Sequence, residues 1–445
     1  VYLILFLLSL YTDAYGPIVY TSAATLFFSI IYSLGKSVLI RESIALLYVF
    51  TCLLMPWVSY EVYNNQFELT RLFGTAMKIP RETYFSSVMP AILGFALVLT
   101  WPVKKDHGSP LMEVFERIRS VANQKSTESV VLFLAGTAML YVSDRFLPIS
   151  FRFVGQLVYF STFAAFLYIY FSDKKRLKAF VYPAFTLSIA YYSLSTGMFT
   201  IIAYMGMTIF SIFFIGSRIG LFRKMAFFIG GLFFILLLQN SKVAYRKVIW
   251  NNPDLNITET FFKTFSQQFQ RGTALIEKKD LFPVQYRLNQ GLNISRVIKR
   301  FPYIQDFDGG TFLFRNAASS LVPRFLWPDK PMAGGAANMQ YYAGVRIVGL
   351  STNVGPYAEA YASFGPQGAV VYMLLLGFLI RAVYLLVFRL SDGIPLIILW
   401  LPVIFYQTVY SAETDTLQIL NSLIKTLVFM GLFYRLFPSI FLKGE

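Results

Sequence analysis

The sequence predicts an all-α, polytopic integral membrane protein with about 12 transmembrane helices and one large polar loop, and three observations lead there. First, 56% of the 445 residues are hydrophobic and only 14% are charged, where a soluble domain carries roughly 25% charged residues. Second, apolar runs long enough to cross a bilayer as a helix, about 18 to 20 residues, recur along nearly the whole chain. The short alternating segments of a membrane β-barrel are absent. Third, basic residues gather at every second connection between the runs, as the positive-inside rule requires of cytoplasmic loops.

Taken in order, the predicted spans are 1–12, 17–35, 42–60, 85–102, 128–146, 152–171, 178–193, 197–216, 224–240, 367–388, 394–410 and 418–437. The first is short. Val1 opens inside an apolar run, so no cleavable signal peptide is expected, and the true start is expected to lie upstream. The basic connections hold Lys36 and Arg41; Lys104, Lys105, Arg117, Arg119 and Lys125; Lys174, Lys175, Arg176 and Lys178; Arg218, Arg223 and Lys224; Arg381 and Arg389; and Arg435 and Lys443. That set belongs in the cytoplasm, with both termini. The net charge of +16 then reads as loops beside anionic lipid rather than as a nucleic-acid surface. The single cysteine, Cys52, excludes an internal disulfide and a cysteine-based zinc site. The single histidine, His107, falls in a basic loop on the cytoplasmic side, so histidine catalysis on the outer face is excluded.

Three regions follow: an N-terminal bundle (1–240), a large external loop (241–366) and C-terminal spans (367–445). The loop breaks the charge rule, with fifteen Lys or Arg against eight Asp or Glu. Long loops translocate regardless of charge, but a basic surface beside a bilayer suits an anionic ligand. Phe261, Phe265 and Phe269 recur every four residues after Thr258 and Glu259, which reads as a helix start. Leu288, Leu292 and Val297 with Arg287, Arg296, Lys299 and Arg300 form a second basic amphipathic stretch. Helices of this kind are expected to lie flat on the interface, capping the bundle.

Candidate residues cluster on the external side. Lys242, Tyr245 and Arg246 emerge at the end of span 224–240, and Arg315, Arg324 and Lys330 follow. Arginine forks match phosphate oxygens, and together these cations suit a diphosphate leaving group. Singly, each also fits an interfacial anchor. Arg324, Trp327 and Lys330 lie in the strap Pro323-Arg324-Phe325-Leu326-Trp327-Pro328-Asp329-Lys330-Pro331, whose prolines disfavour helix. Trp327 offers a face for a sugar ring, or an interfacial anchor. Glu359 leads into span 367–388, and a carboxylate desolvated there suits a general base or complements a helix start. Glu413 and Asp415, in the last external turn, are second candidates for the base. Arg71, Lys78 and Arg81, and Asp144 with Arg145 and Arg152, border spans on the same face, where charges are functional candidates. Asp306-Phe307-Asp308 could ligate a divalent ion, but the following Gly309-Gly310 makes a turn the simpler reading. No metal site is assigned.

Lys242-x-x-Tyr245-Arg246, then Leu326-Trp327-Pro328-Asp329-Lys330-Pro331, then Ser351-Thr352 and Glu359-Ala360-Tyr361-x-x-Phe364-Gly365-x-x-Gly368, in that order after a long apolar series, resembles the Wzy-type oligosaccharide repeat unit polymerases. These include the O-antigen, capsular and enterobacterial common antigen polymerases. The likeness concentrates in residues 242–368, and Ala358 stands where many relatives carry glycine. The resemblance implies a metal-independent, GT-C-like glycosyltransferase of the bacterial inner membrane, without a cofactor, with its active site facing the periplasm. Such enzymes transfer a growing glycan from undecaprenyl diphosphate onto a fresh lipid-linked repeat unit, in cell-envelope and lipopolysaccharide biosynthesis. The partners it implies are the undecaprenyl-diphosphate-linked oligosaccharide, membrane lipids, a chain-length regulator and a flippase, with no nucleic acid.

Two other readings share the topology. A lipid-linked oligosaccharide flippase or other transporter is expected to show internal repeats and interrupted helices, and neither is plain in the sequence. An O-antigen ligase shares the donor, but its family's external catalytic histidine has no counterpart here.

Overall fold

The computed structural model describes residues 1–63, 67–72, 74–106, 108–148, 151–196, 206, 208–216, 220–252, 255–322, 326–331, 334–347 and 352–442. Among them every regular element is helical. Among the described residues nine helices are long and apolar enough to cross a membrane, so the chain is a multi-pass, all-α membrane protein. The other three of the twelve expected spans, 1–12, 178–193 and 197–216, are not among these nine. Tyr2–Tyr11 is apolar but only ten residues long. Lys175–Thr196 is a helix, but its cationic first turn and internal Pro183 dilute its apolar character. Half of 197–216 lies outside the described residues. The division expected at 240/241 falls inside the helix Leu221–Asn251, while the one expected at 366/367 falls beside a break at Gly365 and Pro366 within Pro356–Leu390.

The basic connections gather at one end of the bundle. Gly216 N–H donates to the Gly35 carbonyl, Gly108 N–H to Lys36, and Lys224 Nζ to Leu34. Lys105 pairs with Asp392 at 2.6 Å. Two arginines from other helices close the C-terminus of Arg81–Thr100, whose last carbonyls have no intrahelical partner. Arg41 Nη1 donates to Leu99 and Trp101, each at 2.8 Å, and Arg381 donates to Val98 at 3.2 Å. Arg41 Nη2 also pairs with buried Asp106, onto which Tyr384 Oη donates at 3.0 Å. Part of the expected loop at this end is an amphipathic helix, Gly108–Gln124, which buries Leu111, Val114, Phe115 and Ile118. His107, Arg218 and Lys443 lie outside the described residues.

At the other end the described residues between 252 and 355 fold down on the bundle as a cap. Asn256 Oδ1 accepts from Glu259 N–H and starts helix Ile257–Gln270, within two residues of the expected start. This helix packs back along Leu221–Asn251, with Phe261 edge-on to Tyr245 at 5.8 Å. Helix Gly291–Arg300 does not lie flat on an interface. Leu292, Ile294, Val297 and Ile298 are buried, as are Asn293 and Ser295 on its polar side, because both faces find partners in the bundle.

Two proline-made gaps receive the cap. In span Ile40–Val62 a π-helical turn covers Phe50–Leu54, where Met55 N–H reaches back to the Phe50 carbonyl. Pro56 has no N–H to give, so the Thr51 and Cys52 carbonyls lose helical partners. Gln290 N–H (3.1 Å) and Tyr84 Oη (2.8 Å) donate to them instead. In Pro356–Leu390 the helix breaks at Gly365 (φ 72°, ψ −174°), a conformation open to glycine, followed by Pro366. The stranded carbonyls of Ala362 and Ser363 accept from Asp308 and Gly309 N–H at 3.2 and 3.0 Å. Irregular backbone inside a membrane protein survives where protein groups satisfy it. Both breaks meet that condition.

Candidate functional site

The break at Gly365 turns the start of this span into a short stub, residues 356–364, standing above a membrane-length segment. Glu359 sits in its first turn and is fully buried. Asn338, on helix Gly335–Ala343, donates to Glu359 Oε1 at 3.0 Å. Thr416, which opens helix Thr416–Leu436, donates its N–H (2.8 Å) and its hydroxyl to Oε2. Tyr372 Oη lies 2.6 Å from that hydroxyl. Helix Gly335–Ala343 can approach this closely because a Cβ on Gly335 would stand 1.6 Å from the Thr352 carbonyl oxygen.

Asp415 joins the same network. It caps helix Thr416–Leu436 by accepting from Gln418 N–H, and it accepts from Asn353 Nδ2 at 2.7 Å. Asn293 Nδ2 donates to the Asn353 carbonyl and to Thr352 Oγ1, both at 2.8 Å. Arg296 Nη1 donates to Asn293 Oδ1 at 3.0 Å. Two carboxylates, three amides and a basic rim thus converge from five chain segments. Buried polar groups of this kind are costly unless paired, and here they are paired with one another.

Burial pushes the Asp415 carboxyl above its ordinary range, against the lowering effect of hydrogen bonds from Gln418 N–H, the Asn353 amide and Gly334 N–H. The folded state therefore holds this proton more tightly than the unfolded chain. Its contribution to stability is full below the ordinary aspartate value and is lost as pH rises through the raised one. Thermal unfolding in detergent across that window should show a declining midpoint, and Asp415→Asn, which still caps the helix, should flatten the decline. An unchanged slope would remove Asp415 as its source.

The other expected site residues are distributed more widely. Glu413 is nearly buried and pairs with half-exposed Arg287 at 2.7 Å. Lys242 and Tyr245 are half-buried on Leu221–Asn251, and Arg246 follows there, its side chain lying outside those described. Arg315 is exposed on helix Thr311–Leu321. Arg71 is exposed at the end of Glu68–Leu72, and Arg145 is exposed with its guanidinium 4.0 Å from the Tyr141 ring centroid. Trp327 is half-buried, while Pro323, Arg324 and Phe325 lie outside the described residues. None of the described members of this set hydrogen-bonds to Glu359 or Asp415.

Lys330 has a structural use. Its Nζ donates to the Ser319 and Val322 carbonyls at 2.8 and 2.7 Å, closing the C-terminus of Thr311–Leu321. A cation at a helix C-terminus contributes about 0.3–1 kcal/mol, so Lys330→Met should lower stability by that order and leave any activity near the parent level. A complete loss of activity in folded protein would return Lys330 to the site. Asp308 accepts from Gly310 N–H at 2.8 Å and from Tyr341 Oη at 3.0 Å, holding the turn before the same helix.

Sequence reasoning missed Asn293, Asn338, Asn353 and Thr416. The available signal was positional: Asn293 stands between Leu292 and Ile294, and Asn338 shares a helix face with Tyr342, four residues on. The interrupted helix was also missed, although Gly365-Pro366 is a strong breaker pair.

Fold and site together define a multi-pass helical membrane protein whose cap encloses a carboxylate–amide network at one end of the bundle. The chain belongs to the DUF8712 family, a domain of unknown function, whose model matches residues 110–440. No curated protein and no solved structure matches it.

Proposed function

We propose that the protein is a membrane glycosyltransferase that polymerises lipid-linked oligosaccharide repeat units at the periplasmic face of the bacterial inner membrane. The observation that carries this reading is the convergence of the motif acid Glu359 with Asp415 beneath a basic cap, where a membrane-borne anionic donor can arrive from the bilayer. The likeness of residues 242–368 to the Wzy-type polymerases supports it, as does a bundle of apolar, membrane-length helices beneath a basic cap.

In the proposed reaction an acceptor hydroxyl oxygen bonds to the anomeric carbon of the donor glycan. The bond from that carbon to undecaprenyl diphosphate breaks, and the diphosphate leaves with the electron pair. The hydroxyl proton passes to a carboxylate. Glu359 is the proposed acceptor of that proton. Both its oxygens are occupied in the arrangement described, so acting on a hydroxyl means exchanging the Asn338 bond for the substrate's. Until that exchange it positions Asn338 and Thr416. The test is product stoichiometry in liposomes: one undecaprenyl diphosphate released per repeat added supports the reading, and chain growth without release overturns it.

The broken helices favour a second reading, a lipid-linked oligosaccharide flippase or transporter. Discontinuous spans around buried polar groups are a recurrent transporter design, and Pro356–Leu390 is discontinuous at Gly365, six residues after Glu359. In that case labelled glycolipid changes leaflet without growing.

A further inference from the structure

Segment 74–80 runs across the last turns of helix Gly291–Arg300. Lys78 N–H donates to Ser295 Oγ at 3.2 Å, and Lys78 Nζ donates to the Gly74 carbonyl at 3.0 Å. From the helix come Arg296, half-buried and fixed on Asn293, and Lys299, exposed one turn on from Ser295. No described carboxylate forms an ion pair with any of the three, although paired cations are present nearby, as with Arg287 and Glu413. Residues more than two hundred positions apart thus place three cations side by side, next to the amides that lead to Glu359 and Asp415. Their proximity has an electrostatic consequence. Burial first, then the charges of Arg296 and Lys299, hold the Lys78 ammonium below the ordinary lysine range. Like charges held together against their repulsion are relieved by an anion, and a guanidinium with two ammonium groups offers both a fork and point charges to phosphate oxygens.

We infer that Lys78, Arg296 and Lys299 form the seat for the phosphate groups of a membrane-borne phosphate or diphosphate ester. As the seat of a polymerase substrate's diphosphate, the inference rests on the function proposed above. It moves the diphosphate contacts away from Arg315 and Lys330 to three cations of which Arg296 bonds to the buried network through Asn293. A phospholipid headgroup carries the same chemistry, and the experiment separates the two sources.

The full-length protein is placed in phosphatidylcholine nanodiscs and titrated with undecaprenyl diphosphate. The variants are Lys78→Gln, Arg296→Gln, Lys299→Glu and the triple glutamine substitution. Each single change is expected to weaken binding about tenfold, the scale of one lost charge-assisted contact, with an unfolding midpoint near the parent's. Lys299 is exposed, so Lys299→Glu keeps the test decisive should Lys78→Gln fail to fold. Parent-like affinity in folded Lys299→Glu and in the triple variant overturns the seat. Displacement of the probe by phosphatidylglycerol at comparable concentration assigns the seat to headgroups and overturns its substrate role. Binding through these cations without chain growth keeps the seat and sinks the polymerase. Chain growth with parent-like binding in the triple variant does the reverse.

Discussion

Replacing Glu359 by alanine is expected to abolish activity and to destabilise the protein by about 3 kcal/mol or more, since it strands buried donors. The Asn338 amide and the Thr416 N–H both donate to its carboxylate, which is fully buried. Glu359→Gln separates positioning from chemistry. It keeps the shape and one carbonyl oxygen, so Thr416 stays bonded, and the expected stability loss is about 1–2 kcal/mol. If the carboxylate takes the proton, this variant should turn over at least about a hundredfold more slowly, the usual range for a lost general base, with its KM for the donor unchanged. Unchanged turnover in folded Glu359→Gln would strip Glu359 of the base role and pass it to Glu413 or Asp415. A raised KM with normal turnover would leave it a positioning residue.

The second large effect is expected at the opposite end of the bundle. Arg41→Ala should destabilise the protein by about 3–5 kcal/mol, because it leaves the buried Asp106 carboxylate facing uncapped carbonyls. Unfolding in detergent would register this as a lower midpoint. Asp106→Ala alone should also be harmful, since the guanidinium would keep only Glu42, at 3.4 Å, as counter-charge. The double variant should recover part of the loss, because breaking a buried pair costs more than removing both partners. Additive losses would mean that Arg41 acts through the Leu99 and Trp101 carbonyls alone.

The membrane-spanning helices were readable because an apolar run of the right length has few other structural uses, as in Arg81–Thr100 and Arg152–Phe171. The gathering of Lys36, Arg41, Lys105 and Lys224 at one end follows from the same alternation of loops. Helix Gly291–Arg300 was readable as a helix but not in its placement. A basic amphipathic pattern describes a surface helix, and only tertiary contact shows that Asn293 and Ser295 have protein partners. The site was half legible. Glu359 and Asp415 stood out as acids at span boundaries. The amides between them did not, because Asn338 and Asn353 carry no spacing rule that links them across fifteen residues to each other, one on Glu359 and the other on Asp415. Convergence of Lys78 with Arg296 is likewise invisible along the chain, since loop closure over more than two hundred residues leaves no periodic trace.

The broken helix changes the balance between the two readings. Pro366 deprives the Ala362 carbonyl of its helical partner, and Asp308 supplies the replacement. The cap is thereby fastened to the discontinuity itself, as it is at Thr51 through Gln290. A polymerase uses such fastening to hold a basic cap over buried acids. A transporter uses discontinuity to open and close.

The most direct test of the central claim is made with purified protein in liposomes carrying its undecaprenyl-diphosphate repeat unit, in the presence of a chelator, with products resolved on a gel. The account predicts a ladder of added repeats, formed without a divalent ion. Absence of any ladder, with labelled glycolipid moving instead between leaflets, would contradict it and make the basic cap a capture surface for a flippase.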